Sequence, residues 1–96
     1  MTSAIKPEGS DLASRATGAA LRESIEQSAR DDGLATVDLS GVQTLAESFA
    51  DEAFGVLALR HGVDWVVEHV EFHGASEAVL TTIARVIDRR YPVEVA

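Results

Sequence analysis

The stretch of sequence that decides the fold is DLSGVQTLAESFADEAFG, residues 38–55. Its start overlaps a half-apolar segment, residues 34–39, in which Ala35, Val37 and Leu39 alternate with polar residues, the period of a β-strand. Ser40-Gly41 then interrupts the pattern with residues typical of turns. The sequence therefore predicts a buried strand, a tight loop and a helix in direct succession.

We expect the helix to begin at Ser48, because Ser48 and Asp51 have the spacing of a capping box. In that arrangement the serine hydroxyl accepts from the amide of Asp51, and the Asp51 carboxylate accepts from the amide of Ser48. The helix is expected to end at His61-Gly62. The apolar stripe between these limits consists of Phe49, Ala53, Phe54, Leu57 and Ala58.

The N-terminal third of the chain contains another helix, preceded by a segment without a clear pattern. Residues 12–30 are rich in Ala, Leu, Arg, Glu and Gln, which are good helix formers. Ser10 or Asp11 is the expected N-cap, and Gly33 suits the left-handed position at the helix end. Residues 1–10 are expected to be either a flexible tail or an edge strand.

A second strand is predicted over residues 69–73, with Val70 and Phe72 on its inner face. His69 and His73 share the opposite face with a glutamate, a combination that invites comparison with metal sites. The two histidines would lie ~13 Å apart along a strand, too far to share one ion. We therefore expect no metal site here.

The third helix is predicted to begin after the cap Ser76. Arg85, Arg89 and Arg90 lie in its last turns, where positive charge complements the helix dipole. Residues 93–95 are suited to a short terminal strand. The predicted core stripe of this helix consists of Val79, Leu80, Ile83, Val86 and Ile87.

Helices placed between strands require crossover connections, so the strands are expected to be mainly parallel. The predicted fold class is α/β, with a short, mainly parallel sheet and about three helices. A chain of 96 residues accommodates one domain. We assign that domain to residues 11–96, after the N-terminal segment 1–10.

The composition disfavours several classes of function. The chain has 16 Asp and Glu against 8 Lys and Arg, a net charge of −8, which disfavours direct binding to nucleic acid. It has no cysteine, which excludes disulfides and thiol nucleophiles. No apolar run reaches the ~18 residues of a membrane span, and the N-terminus lacks a signal-peptide core. We expect a cytoplasmic protein that does not bind membranes.

Three parts of the sequence resemble the STAS-like domain family, which is related to the anti-sigma-factor antagonists of bacteria. They are DLSGV at residues 38–42, SFADEAFG at residues 48–55, and FHGAS at residues 72–76 before a helix that ends in Arg89-Arg90. The similarity covers roughly residues 12–90. It implies a small STAS-like α/β domain.

The resemblance also implies a regulatory site at Ser48. In relatives of this type, a serine at the loop–helix junction is phosphorylated by a partner kinase, which switches partner binding. Here AESFA, residues 46–50, replaces the usual Asp-Ser-Ser-Gly-Leu box. A phosphate beside Glu47, Asp51 and Glu52 is expected to repel a docked partner. The predicted partner-binding residues are Glu47, Ser48, Phe49, Asp51 and Glu52, with Ser48 as the phosphoacceptor.

The expected function is therefore non-enzymatic regulation through protein–protein binding. The implied partner is a kinase-like ATPase or an anti-sigma-type regulator. The chain has neither a Gly-rich phosphate loop nor a recognisable nucleophile–base pair, so we expect no catalytic residues and no cofactor. A purely structural explanation of Ser48, as a helix cap, stays open.

Two other functions stay open. With a net charge of −8, the chain is suited to act as an acidic inhibitor, a nucleic-acid mimic that occupies a basic site on another protein. Against this, the carboxylates are spread evenly along the sequence. A structural module that forms a homodimer through an exposed N-terminal strand edge is the third alternative.

Overall fold

Four strands and four helices are seen in the computed structural model, which describes residues 4–7, 9 and 11–90. One of these helices is composite, because two α-helical parts continue into each other through a π-helical turn. In chain order the elements are β1 (Asp11–Leu12), α1 (Arg15–Asp32), β2 (Ala35–Asp38), β3 (Thr44–Leu45), the composite helix of α2 (Glu47–Ala50), the π turn (Asp51–Gly55) and α3 (Val56–His61), then α4 (Val63–His69), β4 (Val70–His73) and α5 (Glu77–Arg90). The predicted α/β fold class is confirmed. The strand predicted over 93–95 lies outside the described residues.

The larger sheet is centred on β2. β4 pairs with it in parallel, with Ala35 opposite Val70. On its other side, Ile5 forms an isolated parallel bridge to Val37, in which the Ile5 amide donates to the Thr36 carbonyl at 2.7 Å. β1 and β3 form a separate parallel pair that links the start of α1 to the start of the composite helix.

The core lies between the sheet and the helices. Ala35, Val37 and Leu39 are all fully buried, as their alternation predicts. The composite helix contributes Phe54 as a fully buried side chain, and its ring meets Phe72 edge-on at a centroid distance of 5.2 Å. The remaining large buried side chains are Phe49, Ile25, Leu57, Val79 and Val86.

One residue of the predicted core stripe of α5, Leu80, does not belong to the core. Val79, Ile83 and Val86 are buried, at the spacing of one helix face. Leu80 is 44% exposed, because it lies one residue, or about 100° of helix rotation, beyond Val79. The predicted cap is confirmed, since Ser76 Oγ accepts from the amide of Val79 at 3.2 Å.

The start of α1 also differs from the prediction. Asp11 belongs to β1, where pairing with β3 keeps the backbone extended, so it does not cap the helix. Ser10, the other predicted cap, lies outside the described residues. Ser14 is the N-cap, and its Oγ accepts from the amides of Ala16 and Thr17. The predicted end is confirmed, because Gly33 adopts a left-handed conformation with φ of 79°.

α4 was not predicted from the sequence. Its valines favoured a strand, because β-branched residues are enriched in strands. In the structure, Gly62 turns the chain with φ of 95° and seven helical residues follow immediately. Val66 lies in the core at 4% exposure, whereas Val67, one residue further, is 74% exposed. Among the described residues, no helix is long and apolar enough to cross a membrane.

Candidate functional site

The composite helix begins one residue earlier than predicted, and the capping box is absent. Its N-cap is Ala46, which has no side-chain acceptor, so Ser48 is the second helical residue. The cause is β3, after which the Ala46 amide donates to the Leu12 carbonyl at 2.8 Å and directs the chain into the helix. Ser48 Oγ instead donates to the Ala13 carbonyl at 2.8 Å. Ser48 therefore joins the composite helix to the segment that precedes α1.

Asp51, the other half of the predicted box, lies between two arginines. Arg90 donates to both carboxylate oxygens, at 2.8 and 2.7 Å, and Arg15 donates to one of them at 3.2 Å. The Asp51 side chain is only 9% exposed. Hydrogen bonds from Arg90 and then from Arg15, which outweigh the opposing effect of burial, lower the pKa of Asp51 to about 2. Asp51 is therefore charged throughout the physiological pH range.

Glu47 and Glu52 are bound by arginines as well. Arg85 and Arg89 of α5 both donate to Glu47, at 3.1 to 3.3 Å, and their hydrogen bonds lower the pKa of its carboxyl. Arg15 bridges from Asp51 to Glu52, where the distance is 3.3 Å. The three carboxylates are thus bound by arginines of two neighbouring helices, α1 and α5, and Arg15 is shared by Asp51 and Glu52.

Arg22 supports the π turn from inside the protein. Its side chain is 8% exposed, and Nη1 donates both to the backbone carbonyl of Glu52 at 2.5 Å and to the Glu52 carboxylate at 2.8 Å. The carboxylate bond is the main cause of the lowered pKa of Glu52. Within the described part of the chain, Arg22 Nε has no hydrogen-bond partner. Irregular turns of this type occur frequently at functional sites.

We call this set of eight side chains the arginine–carboxylate network. Five guanidinium groups face three carboxylates, so the network carries an excess of two positive charges. It spans the N-terminal half of the composite helix and is closed by α1 on one side and α5 on the other. Its members are Arg15, Arg22, Glu47, Asp51, Glu52, Arg85, Arg89 and Arg90.

Two glycines allow the helices to approach closely enough for these contacts. A Cβ at Gly18 would lie 2.7 Å from the carbonyl oxygen of Phe49, in the composite helix. A Cβ at Gly55 would lie 2.7 Å from Asp51 Oδ1 and 3.2 Å from the carbonyl oxygen of Val86, in α5. Both distances near 2.7 Å are too short for a real side chain. The absence of side chains at Gly18 and Gly55 thus sets the spacing on which the network depends.

The predicted docking residues are divided between core and surface. Phe49 is 1% exposed and belongs to the core, so it is not accessible to a partner in this conformation. Asp51 is buried under Arg90 and is likewise covered. Glu47 keeps 47% of its side chain exposed and Glu52 keeps 24%, while Ser48 is half-buried. The accessible part of the predicted surface is therefore Glu47, Ser48 and Glu52, framed by arginines.

The opposite end of the composite helix carries a different cluster. His61 stacks on Trp65 at a centroid distance of 4.1 Å, and Trp65 meets His69 edge-on at 4.8 Å. His61 Nε2 lies 2.8 Å from Glu26 Oε2. Burial raises the pKa of Glu26, but the His61 hydrogen bond and the nearby Arg60 outweigh it, and the pKa is lowered overall. No group of three or more metal-ligating side chains occurs among the described residues.

Residues 17–80 match the model of a protein family described as "STAS-like domain of unknown function (DUF4325)". The chain belongs to this STAS-like family. The matched residues include β2, β4, Ser48 and the three network carboxylates. Arg15 and the arginines of α5 lie outside the matched range. No curated protein and no solved structure shows a significant match.

Proposed function

We propose that this STAS-like domain regulates another protein by binding it through the N-terminal end of the composite helix. The observation that supports this most directly is the hydrogen bond from Ser48 Oγ to the Ala13 carbonyl, at 2.8 Å. This hydrogen bond joins the composite helix to the segment before α1 through one side-chain hydroxyl, at an accessible helix end. The proposed docking surface consists of Glu47, Ser48 and Glu52 with the exposed arginines around them.

Phosphorylation of Ser48 is the proposed switch, with a mechanism that differs from charge repulsion. The three neighbouring carboxylates are already bound by arginines, so they present little free negative charge to a phosphate. The phosphate oxygens, however, cannot donate to the Ala13 carbonyl as the hydroxyl does. A dianionic phosphate at Ser48 would therefore break this contact between the composite helix and the segment before α1 and change the docking surface.

The proposed partner is a kinase-like ATPase or an anti-sigma-type regulator, by analogy with the relatives that the sequence resembles. In this proposal the domain acts by binding, without catalysis or a cofactor, in the bacterial cytoplasm. Fold-level analogy supplies only the partner class. The partner itself must be found by experiment.

The experiment is an affinity purification of the tagged protein from its native host, followed by mass spectrometry. Wild type, Ser48→Ala and Ser48→Asp would be compared, with Ser24→Asp as a matched control on the exposed side of α1. We expect wild type to retain a kinase-like ATPase or sigma regulator, and a fraction of Ser48 to carry phosphate. Ser48→Asp should lose the partner by about tenfold or more, while Ser24→Asp retains it.

Two outcomes would contradict the proposal. The first is recovery of the same partner in equal amounts with Ser48→Asp and wild type, both folded. The second is recovery of a basic nucleic-acid-binding protein, which is the outcome that the acidic-mimic alternative predicts. Against that alternative, the carboxylates of Glu26, Glu47, Asp51 and Glu52 are each bound by a cationic side chain. The elution volume of the purified chain in size-exclusion chromatography tests the homodimer alternative.

A further inference from the structure

The positive charge of this acidic protein is concentrated around the proposed docking surface. Of its 8 Lys and Arg residues, five belong to the arginine–carboxylate network. The network carries an excess of two positive charges, whereas the whole chain carries −8. The rest of the chain, with three basic and thirteen acidic residues, therefore carries −10. Within the described residues, the network is therefore a cluster with an excess of positive charge in a chain whose net charge is negative.

Three of the network arginines are accessible to solvent, and each binds its carboxylates through only one of its guanidinium nitrogens. The side chains of Arg15, Arg85 and Arg89 are 55%, 54% and 53% exposed. Each donates through a single terminal nitrogen to a carboxylate of the composite helix. Their other guanidinium nitrogens have no partner within residues 11–90. Each arginine can therefore bind a second carboxylate without releasing the first.

We propose that Arg15, Arg85 and Arg89 bind a short acidic segment of the partner protein, with carboxylates as the recognised groups. Guanidinium and carboxylate groups match in planar geometry, and Arg90 with Asp51 already shows that two-point contact within this network. The surrounding negative charge repels a partner that approaches elsewhere and directs an acidic segment to this face. This inference deepens the proposed function, on whose docking surface it rests, by stating the chemistry of the partner.

A nucleic acid fits the same surface less well. Protein contacts with nucleic acid typically involve many phosphates along an extended backbone. The three exposed arginines could hold a few phosphates, but a chain with a net charge of −8 would repel the rest. A segment with two or three carboxylates matches the number of available guanidinium groups.

The test is a titration of the isotope-labelled full chain with a hexaglutamate peptide, followed by NMR of the arginine Nε–Hε groups. Hexaglutamine is the uncharged control peptide. We expect hexaglutamate to shift the signals of Arg15, Arg85 and Arg89 saturably, and those of Arg30 and Arg60 much less. Raising NaCl from about 20 mM to about 200 mM should weaken binding by about tenfold.

Two double variants with the same change in net charge sharpen the test. Arg85→Gln with Arg89→Gln should weaken hexaglutamate binding by about tenfold, and the spectrum of each variant reports whether it is folded. Arg30→Gln with Arg60→Gln should leave the affinity unchanged. Equal effects of the two pairs would show a general charge effect and overturn the inference.

Three further results would overturn the proposal. They are the absence of saturable shifts, concentration-dependent shifts without peptide that reveal self-association through this face, and tighter binding of a single-stranded oligonucleotide than of hexaglutamate. The peptide titration needs no natural partner, so its failure is distinguishable from failure of the proposed function. A captured partner that contacts residues 46–52 without using the arginines would overturn this inference alone.

Discussion

The two ends of the composite helix use charge in different ways. At the N-terminal end, three carboxylates are bound by arginines of α1 and α5. At the C-terminal end, a single carboxylate, that of Glu26, is bound by Arg60 and by His61. The N-terminal end thus joins five arginines to three carboxylates, whereas the C-terminal end is a smaller cluster in which one carboxylate meets Arg60 and His61.

The largest expected difference between the two ends concerns Asp51. Asp51→Asn removes the charge that holds Arg15 and Arg90 and should lower the free energy of unfolding by about 3 kcal/mol at neutral pH. Urea denaturation measures the change. Asp88→Asn, on the exposed surface of α5, is the matched control and should stay within about 0.5 kcal/mol of wild type. Equal effects would show that the Asp51 contacts are unimportant for stability.

The close helix contact at Gly18 is expected to have the next largest effect. Gly18→Ala places a Cβ 2.7 Å from a backbone carbonyl of the composite helix, so α1 must move away. Even with the higher helix propensity of alanine, we expect a loss of about 2 kcal/mol. Gly41→Ala, whose nearest neighbour would be Lys6 Cε at 3.7 Å, should be nearly neutral. Thermal unfolding of both variants tells the two cases apart.

The lowered pKa of Asp51 makes the N-terminal end sensitive to acid. Its folded pKa of about 2 lies below the ordinary value of 3.8, so the stabilising contribution is fully present above pH 3.8. It is lost as the pH falls through about 2. The stability difference between wild type and Asp51→Asn should therefore shrink by about 2 kcal/mol over this window. A difference that does not change with pH would contradict the Arg90–Asp51 geometry.

The smallest expected effect is at the C-terminal end. A double-mutant cycle between Glu26→Gln and His61→Gln should give a coupling free energy below about 1 kcal/mol, since His61 is 32% exposed to solvent. The same cycle between Asp51→Asn and Arg90→Gln should give about 2 kcal/mol. If the Glu26 pair couples more strongly than the Asp51 pair, the comparison between the two ends is reversed.

The distinction between local spacing and long-range contacts explains what could be predicted from the sequence. Elements set by local spacing were predicted correctly, including β2, β4, the end of the composite helix at His61-Gly62 and the caps Ser76 and Gly33. The arginine–carboxylate network joins residues 30 to 42 positions apart. Its pairs depend on how α1 and α5 meet the composite helix, which no local pattern encodes.

Ser48 shows where a local pattern was misleading. The spacing of Ser48 and Asp51 satisfies a capping box, yet backbone pairing between Ala46 and Leu12 fixes the helix start earlier. Both side chains then bind partners from distant parts of the chain. The arginines in the last turns of α5 were visible in the sequence, but their positions explained them equally well as dipole partners.

The most direct test of the proposed docking surface is hydrogen–deuterium exchange of the full chain with and without the partner captured by affinity purification. Binding at the N-terminal end of the composite helix should protect the amides of residues 46–52 and of the first turn of α1. Residues 63–69, at the opposite end, should exchange at the same rate in both states. Protection confined to residues 63–69, with residues 46–52 unchanged, would contradict the proposal.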